Sequence, residues 1–481
     1  MTWTTKSLRD SRRPSFVYLI SFVVSAGEFI RSFDINVMSG AILYLKNEFG
    51  LRPYEEGFAM SSAIIGCVAG AMLGGIACDW MGRKRTLFIT VFLYGISVWG
   101  TATPVSMFEF NVYRIVGGIG VGFASVACPL YIAEIAPARI RGRLVMLVQF
   151  AMVFGLTSAT ITTYVMSVYG LSWRWMMASE GVPVLLMFMG LFLVPESPRW
   201  LEANHRREES LRVLTTLVGP DKAVGELQEI AESLSQETGS YRELLQPGVR
   251  RALVIAVALA VFSQLVGMTT LMYYAPVLFQ KTGLEISSAI ARLIILNVWN
   301  LLCTIVAFSL VDTLGRRPLL LCGLAGLTAG LALMGLVFHF RMSGLFVLLV
   351  FFVCIGAYIL SIAPLTWVIV SEVFPSRVRG RAVAIATFGL WLTVYCVTQF
   401  FPPLVAHFEK LYGTAAGVFW MFAGAALSAF FFCWRWIPET KGRSLEEIGR
   451  SWRIPFTEPR NRAENPQEIT ISRPSVQRGG E

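Results

Sequence analysis

Long apolar blocks dominate this chain, and short polar, turn-rich stretches separate them. A helix that crosses a bilayer needs about 20 mainly apolar residues. Blocks of that kind run over 16–38, 57–78, 86–104, 108–132, 144–169, 174–194, 251–279, 289–311, 318–339, 344–370, 382–405 and 414–437. The pattern predicts an all-α membrane protein with twelve transmembrane helices. Between the sixth and seventh blocks, residues 196–250 turn polar and carry helix-like segments such as REESLRVLTTL and AVGELQEIAESL. The stretch after about 453 has few apolar side chains to bury and is predicted to be disordered. The expected organisation is an N-terminal segment 1–15, a helical unit 16–195, a linker 196–250, a second unit 251–440 and a tail 441–481.

The two units repeat one another. DWMGRKR (79–85) matches DTLGRRP (312–318), EIAPARIRGR (134–143) matches EVFPSRVRGR (372–381), and PESPR (195–199) matches PETKG (438–442). Three pairs in one order at a nearly constant offset imply two six-helix halves of one duplicated design. Repeat-built transporters place their substrate between the repeats, near the bilayer midplane.

Composition agrees with the pattern. Hydrophobic residues make up 55% of the chain and charged residues 15%, against about 25% charged in soluble domains. The net charge of +10 does not point to nucleic acid, because the bases sit in short runs between apolar blocks. Setting aside the linker and tail, one side collects Lys6, Arg9, Arg12, Arg13, Arg83, Lys84, Arg85, Arg139, Arg141, Arg143, Arg316, Arg317, Arg377, Arg379 and Arg381. The other side has only Lys46, Arg52, Arg174, Lys281, Arg341 and Lys410. The positive-inside rule then places both termini and the linker in the cytoplasm. No apolar stretch with a cleavage site follows the basic N-terminus, so the first helix is expected to be retained. The eight cysteines fall in or beside apolar blocks and read as free thiols, and the three histidines form no cluster. No metal, cofactor or catalytic set is expected, and an enzyme is an unfavoured reading.

One block breaks the apolar rule. GEFIRSFD (27–34) puts Glu28, Arg31 and Asp34 at three-residue steps inside the first span. A charge at the bilayer centre costs about 2.5–3.5 kcal/mol on insertion scales. The steps spread the three over about 120° of one helix face, which must look into the bundle. Arg31 lies within reach of both acids, so a compensated triplet is expected. The other account has Arg31 gripping a carboxylate of the substrate.

The loops carry acids beside their bases. Asp79 and Glu134 lie near Arg83 and Arg141, and Asp312 and Glu372 lie near Arg316 and Arg379. Together these eight are expected to form a conformational latch. Exposed pairs contribute only about 0–1 kcal/mol each, so a latch needs a network. The alternative is that the arginines only fix topology.

Taken together, Gly75–Asp79–Gly82–Arg83, YRIVGGIGVG, Glu134–Arg141–Gly142, WRWM, PESPRWL, YYAP, TWVIVSEVFPSRVRGRA and PETKG resemble the sugar porter family of the major facilitator superfamily. The resemblance covers about residues 16–450 and implies two pseudo-symmetric six-helix bundles working by alternating access. It implies a proton-coupling pair, Asp34 with Arg114, against the alternative of a permanent structural bridge. It implies a substrate site from Gln149, Gln264, Tyr273, Tyr274, Asn300, Trp367 and Trp391, with Arg31 added by its position. Ser263, Thr269, Leu390 and Val394 stand where the family has hydrogen-bonding side chains, which counts against ordinary hexose binding and leaves a smaller polyol, a pentose, or a sugar or cyclic acid held by Arg31 open.

The expected protein is a monomeric secondary transporter in a plasma membrane or bacterial inner membrane. Its partners are a sugar-like solute, protons and the lipid bilayer, with no nucleic acid. An organic-acid or sugar-acid transporter using Arg31, a passive facilitator and a non-transporting nutrient sensor are the alternatives.

Overall fold

The computed structural model describes residues 4–136, 140–236, 243–244, 246–374 and 376–437. All regular structure among them is helical. The first bundle contains α1 (Thr4–Phe49), α2 (Pro53–Met81), α3 (Arg83–Ala102), α4 (Met107–Ile135), α5 (Arg141–Val168), α6 (Trp173–Ala178) and α7 (Gly181–Leu191). The polar linker supplies α8 (Pro198–Ala203), α9 (Arg207–Val218) and α10 (Pro220–Gln236). The second bundle contains α11 (Pro247–Leu265), α12 (Met268–Tyr273), α13 (Ala275–Gln280), α14 (Ile286–Leu314), α15 (Arg316–His339), α16 (Gly344–Ile359), α17 (Ile362–Val373), α18 (Ser376–Tyr412) and α19 (Ala416–Trp436).

Eleven stretches among the described residues are long and apolar enough to cross a bilayer. The sixth block, 174–194, is helical but divided into α6 and α7 at Ser179–Glu180. Two further spans are interrupted. Gly267 takes a left-handed conformation (φ 78°) between α11 and α12, and Ser361 (φ −131°, ψ −97°) separates α16 from α17. Interrupted backbone at membrane depth is tolerated where it lines a cavity or is buried in protein. The predicted disordered tail and the PETKG motif lie outside the described residues.

The duplication is visible in the backbone. Gly82 (φ 94°, ψ 163°) turns α2 into α3, and Gly315 (φ 89°, ψ 158°) turns α14 into α15 with almost the same geometry. Each glycine is followed by the arginine of its repeat. The end of the molecule that carries these two turns is called the basic end here.

Packing is tightest where glycines let helices touch. A Cβ on Gly118 of YRIVGGIGVG would strike the Ala63 carbonyl of α2. Without a hydrophobic driving force in lipid, this close van der Waals contact is what associates two helices. The apolar core also reveals the conformation. One cluster joins the second bundle to the far half of the first, including Val37, Ile42, Leu45, Ala59 and Ala159. The basic half of the first bundle has a separate core built around Val24, Leu87, Cys128 and Tyr131. The bundles are thus fused at the end away from the basic turns. Hydrogen bonds reinforce that seal: Ser61 Oγ donates to Gln399 Oε1 at 2.7 Å, and Gln399 Nε2 donates to the Tyr54 carbonyl at 3.1 Å.

Gly82 and Gly315 are expected to respond alike to alanine. Positive φ disfavours any Cβ, and at Gly82 the Cβ would also meet the Glu196 carboxylate. Gly82→Ala should cost about 1–3 kcal/mol, with a smaller loss at Gly315→Ala, read as thermal unfolding of the purified protein in detergent.

Candidate functional site

The three charges of the first span do not form one triplet. Arg31 Nε donates to Glu28 Oε2 at 2.6 Å, one helical turn back. Asp34 turns the other way and pairs with Arg114 on α4. That pair is deeply enclosed, with Asp34 5% and Arg114 2% exposed. Both accounts of Arg31 change as a result. Its charge is already matched by Glu28, and its half-buried guanidinium lies near Tyr273 of the opposite bundle.

The sequence reading missed a third carboxyl. Glu180, 2% exposed, stands at the break between α6 and α7 and interacts with both Asp34 and Arg114. The signal was present: an acid inside the sixth apolar block is as anomalous as one inside the first. The structure thus brings three carboxyls, Glu28, Asp34 and Glu180, against two guanidiniums, Arg31 and Arg114.

The substrate candidates gather around the other two breaks. Gln264 lies in the last turn of α11 just before Gly267, and Thr269 follows it. Thr269 Oγ1 donates to Gln264 Oε1 at 2.7 Å, while Gln264 Nε2 reaches Tyr358 Oη at 3.4 Å and Ser263 Oγ at 3.3 Å. Thr269 and Ser263, which stand where the family has amides, thus serve to orient Gln264. Tyr358 lies just before the second break and was not foreseen. Trp367 lies just after it and is 40% exposed. Asn300 is half-buried, and its Oδ1 accepts from Thr304 Oγ1 at 3.3 Å. Trp391 packs against the apolar cores of both bundles. Gln149 is exposed on α5.

Tyr274 belongs elsewhere. Its ring is fully buried on Phe401 with centroids 5.0 Å apart, and its hydroxyl reaches the Thr398 carbonyl at 3.4 Å. It helps to seal the far end, beside a cavity of about 110 Å³ lined by Lys46, Glu56, Lys281 and Glu409.

At the basic end, half of the expected latch is described. Arg83 makes a two-pronged contact with Glu134, Nη2–Oε1 2.8 Å and Nε–Oε2 3.0 Å. Asp79 is more distant at 3.5 Å and largely exposed. Glu196 of PESPRWL accepts from the backbone amides of Arg83 and Lys84, at 2.9 and 3.1 Å. Trp200 donates its indole N–H to the Asp79 carbonyl at 2.8 Å. This network lies within the first bundle and anchors the linker to it. The side chains of Arg141, Asp312, Glu372 and Arg379 lie outside the described residues, and Arg316 opens α15.

Two duplicated helical bundles, sealed at one end and enclosing buried ion pairs beside broken helices, define a secondary transporter. The chain belongs to the sugar transporter family, whose model, described as "Sugar (and other) transporter", matches residues 20–452. It is 36% identical over 478 residues to the D-xylose-proton symporter of Escherichia coli, covering 91% of this chain and 96% of that one. It is 35% identical over 452 residues to the arabinose-proton symporter of Bacillus subtilis, covering 92% and 96%. The inward-open structure of the xylose transporter XylE from E. coli superposes with a TM-score of 0.79 at 34% identity, over 91% of this chain and all of that one. Family membership makes the chain a multi-pass membrane transporter of the major facilitator fold, and not an enzyme.

The Glu28–Arg31 pair generates a test. Removing one member of a buried pair leaves an uncompensated charge, whereas replacing both by apolar residues is often neutral. Arg31→Leu alone should therefore destabilise by about 3 kcal/mol. The Glu28→Leu/Arg31→Leu double variant should recover most of that loss in thermal unfolding of reconstituted protein.

Proposed function

We propose that this chain is a proton-coupled symporter of a neutral sugar or polyol, working by alternating access. The observation that carries the reading is the buried Asp34–Arg114 pair with Glu180 beside it. Three carboxyls against two guanidiniums leave one negative charge over if all are ionised, and an unmatched charge is strongly disfavoured at membrane depth. One proton on the Asp34–Glu180 couple balances the set. Such a group is a natural place to load and unload a proton as the cavity changes sides.

The cycle follows from that balance. A proton arriving from outside neutralises Asp34 and loosens its hold on Arg114. Sugar binds among Gln149, Gln264, Asn300, Trp367 and Trp391. Amides offer both donors and acceptors to hydroxyls, and aromatic faces pack on the apolar face of the ring. The loaded, neutral site closes at the far end and opens at the basic end, where proton and sugar leave. With the basic end cytoplasmic, as the loop charges argue, the sealed far end makes this the inward-facing state. Arg83 and Glu134, paired within the first bundle in this state, exchange partners with their repeat counterparts to latch the basic end in the opposite state. The chain acts as a monomer in a plasma membrane or bacterial inner membrane with both termini inside.

The relatives' substrates favour a pentose, D-xylose or arabinose. The sugar-acid alternative rested on a free charge at Arg31, and Glu28 now occupies it.

The test is uptake into proteoliposomes across a panel of neutral sugars and sugar acids. Sugar accumulation should rise with an inward proton gradient. Asp34→Asn should abolish accumulation while sparing sugar exchange, because exchange needs no net proton movement. Uptake indifferent to the gradient would make the protein a facilitator.

A further inference from the structure

Where α1, α5 and α14 meet, the seal between the bundles contains a small polar cluster in apolar surroundings. It consists of Asn36, Thr160 and Asn297, and Asn297 is only 1% exposed. Asn297 Nδ2 donates to Thr160 Oγ1 at 2.8 Å, and reaches Asn36 Oδ1 and the Leu156 carbonyl at 3.4 Å each. Thr160 Oγ1 in turn lies 2.9 Å from the Leu156 carbonyl and 3.4 Å from Asn36 Oδ1. Asn36 Nδ2 reaches the Ser32 carbonyl at 3.4 Å.

These contacts fix the Asn297 amide. Turning it over would aim its oxygen at two acceptors, the Leu156 carbonyl and Asn36 Oδ1. In the orientation adopted, Asn297 Oδ1 is buried and has no hydrogen-bond partner. A buried acceptor without a donor is costly, and a leucine would suit the surrounding interface better. The feature makes sense if a donor arrives at another stage of the cycle.

Position names the donor. Asn297 precedes Asn300 by one turn on the same face of α14, and Asn36 lies two residues beyond Asp34 on α1. The unmatched oxygen therefore sits at the far edge of the central site. The Nδ2 contacts all reach the first bundle, so parting α14 from α1 and α5 would free that edge of the amide as well.

We propose that Asn297 is a substrate-binding residue, whose Oδ1 accepts a hydroxyl of the sugar held against Asn300 and whose Nδ2 reseals onto Thr160 as the far end closes. Asn36 and Thr160 are positioning residues that set the amide's direction. The inference rests on the neutral-sugar reading above and adds the ligand chemistry of one subsite, a hydroxyl donor on a polyhydroxylated ring. It also offsets the amides missing at Ser263, Thr269, Leu390 and Val394.

The experiment is calorimetric binding to the full chain in nanodiscs, with D-xylose and its 2-, 3- and 4-deoxy analogues as probes. Wild type should bind one deoxy analogue about tenfold more weakly than D-xylose. Asn297→Leu should lose about tenfold for D-xylose and nothing further for that one analogue. An equal loss for all four probes, or none for any, would overturn the proposal and leave Asn297 as a helix seal. Should Asn297→Leu not fold, Asn297→Ser reports the same pattern. A wild-type protein that binds D-xylose but distinguishes none of the analogues also rejects the subsite. One that binds neither D-xylose nor arabinose rejects the pentose reading first, and the subsite with it.

Discussion

An ionised side chain inside a bilayer has to be matched, and this constraint organises the molecule. Glu28 takes Arg31, and Asp34 takes Arg114, so the two acids of GEFIRSFD are neutralised by different routes. One pairing is local to the helix, one turn apart. The other spans two helices and holds α1 against α4 at the depth where a cavity must open. The local pair has little to gain from movement of the bundles. The second pair joins helices and meets a further carboxyl at Glu180. On the proposed reading, the same kind of interaction serves compensation in one case and coupling in the other.

The broken helices extend the argument. Backbone groups freed from a helix need partners in a medium without water, so breaks survive only where side chains or a cavity supply them. In this chain the breaks at Ser179–Glu180, Gly267 and Ser361 each bring a functional candidate to the centre. Glu180 reaches the ion pair. Gln264 and Thr269 bracket Gly267 and bond each other. Tyr358 and Trp367 bracket Ser361. Irregular backbone and polar chemistry coincide because each makes the other tolerable.

The two ends of the molecule are held by different forces. The far end closes by continuous apolar packing with a few buried hydrogen bonds, which are lost together when the helices part. The basic end of the first bundle is built from the buried Arg83–Glu134 ion pair and the backbone amides around Gly82, with Asp79 left largely exposed.

Much of this architecture was written in the chain. Twelve apolar blocks, three motif pairs and a biased loop charge specify two related six-helix units, because lipid punishes unsatisfied backbone and unmatched charge so heavily. The pairing of Asp34 with Arg114 was likewise legible, through the family resemblance of the motifs around them. What could not be read was how side chains share partners in space. Arg31 stood equidistant in sequence from two acids, and only the side-chain directions on α1 assigned it to Glu28. Tyr274 follows Tyr273 by one residue, yet a helix turns about 100° per residue, which sends one ring toward the site and the other into the core. Glu180, Tyr358 and the Asn36–Thr160–Asn297 cluster join residues scattered across the chain, some from opposite bundles. Periodicity and composition act along one helix at a time, whereas a binding site is a meeting of several, and only tertiary packing decides which residues meet.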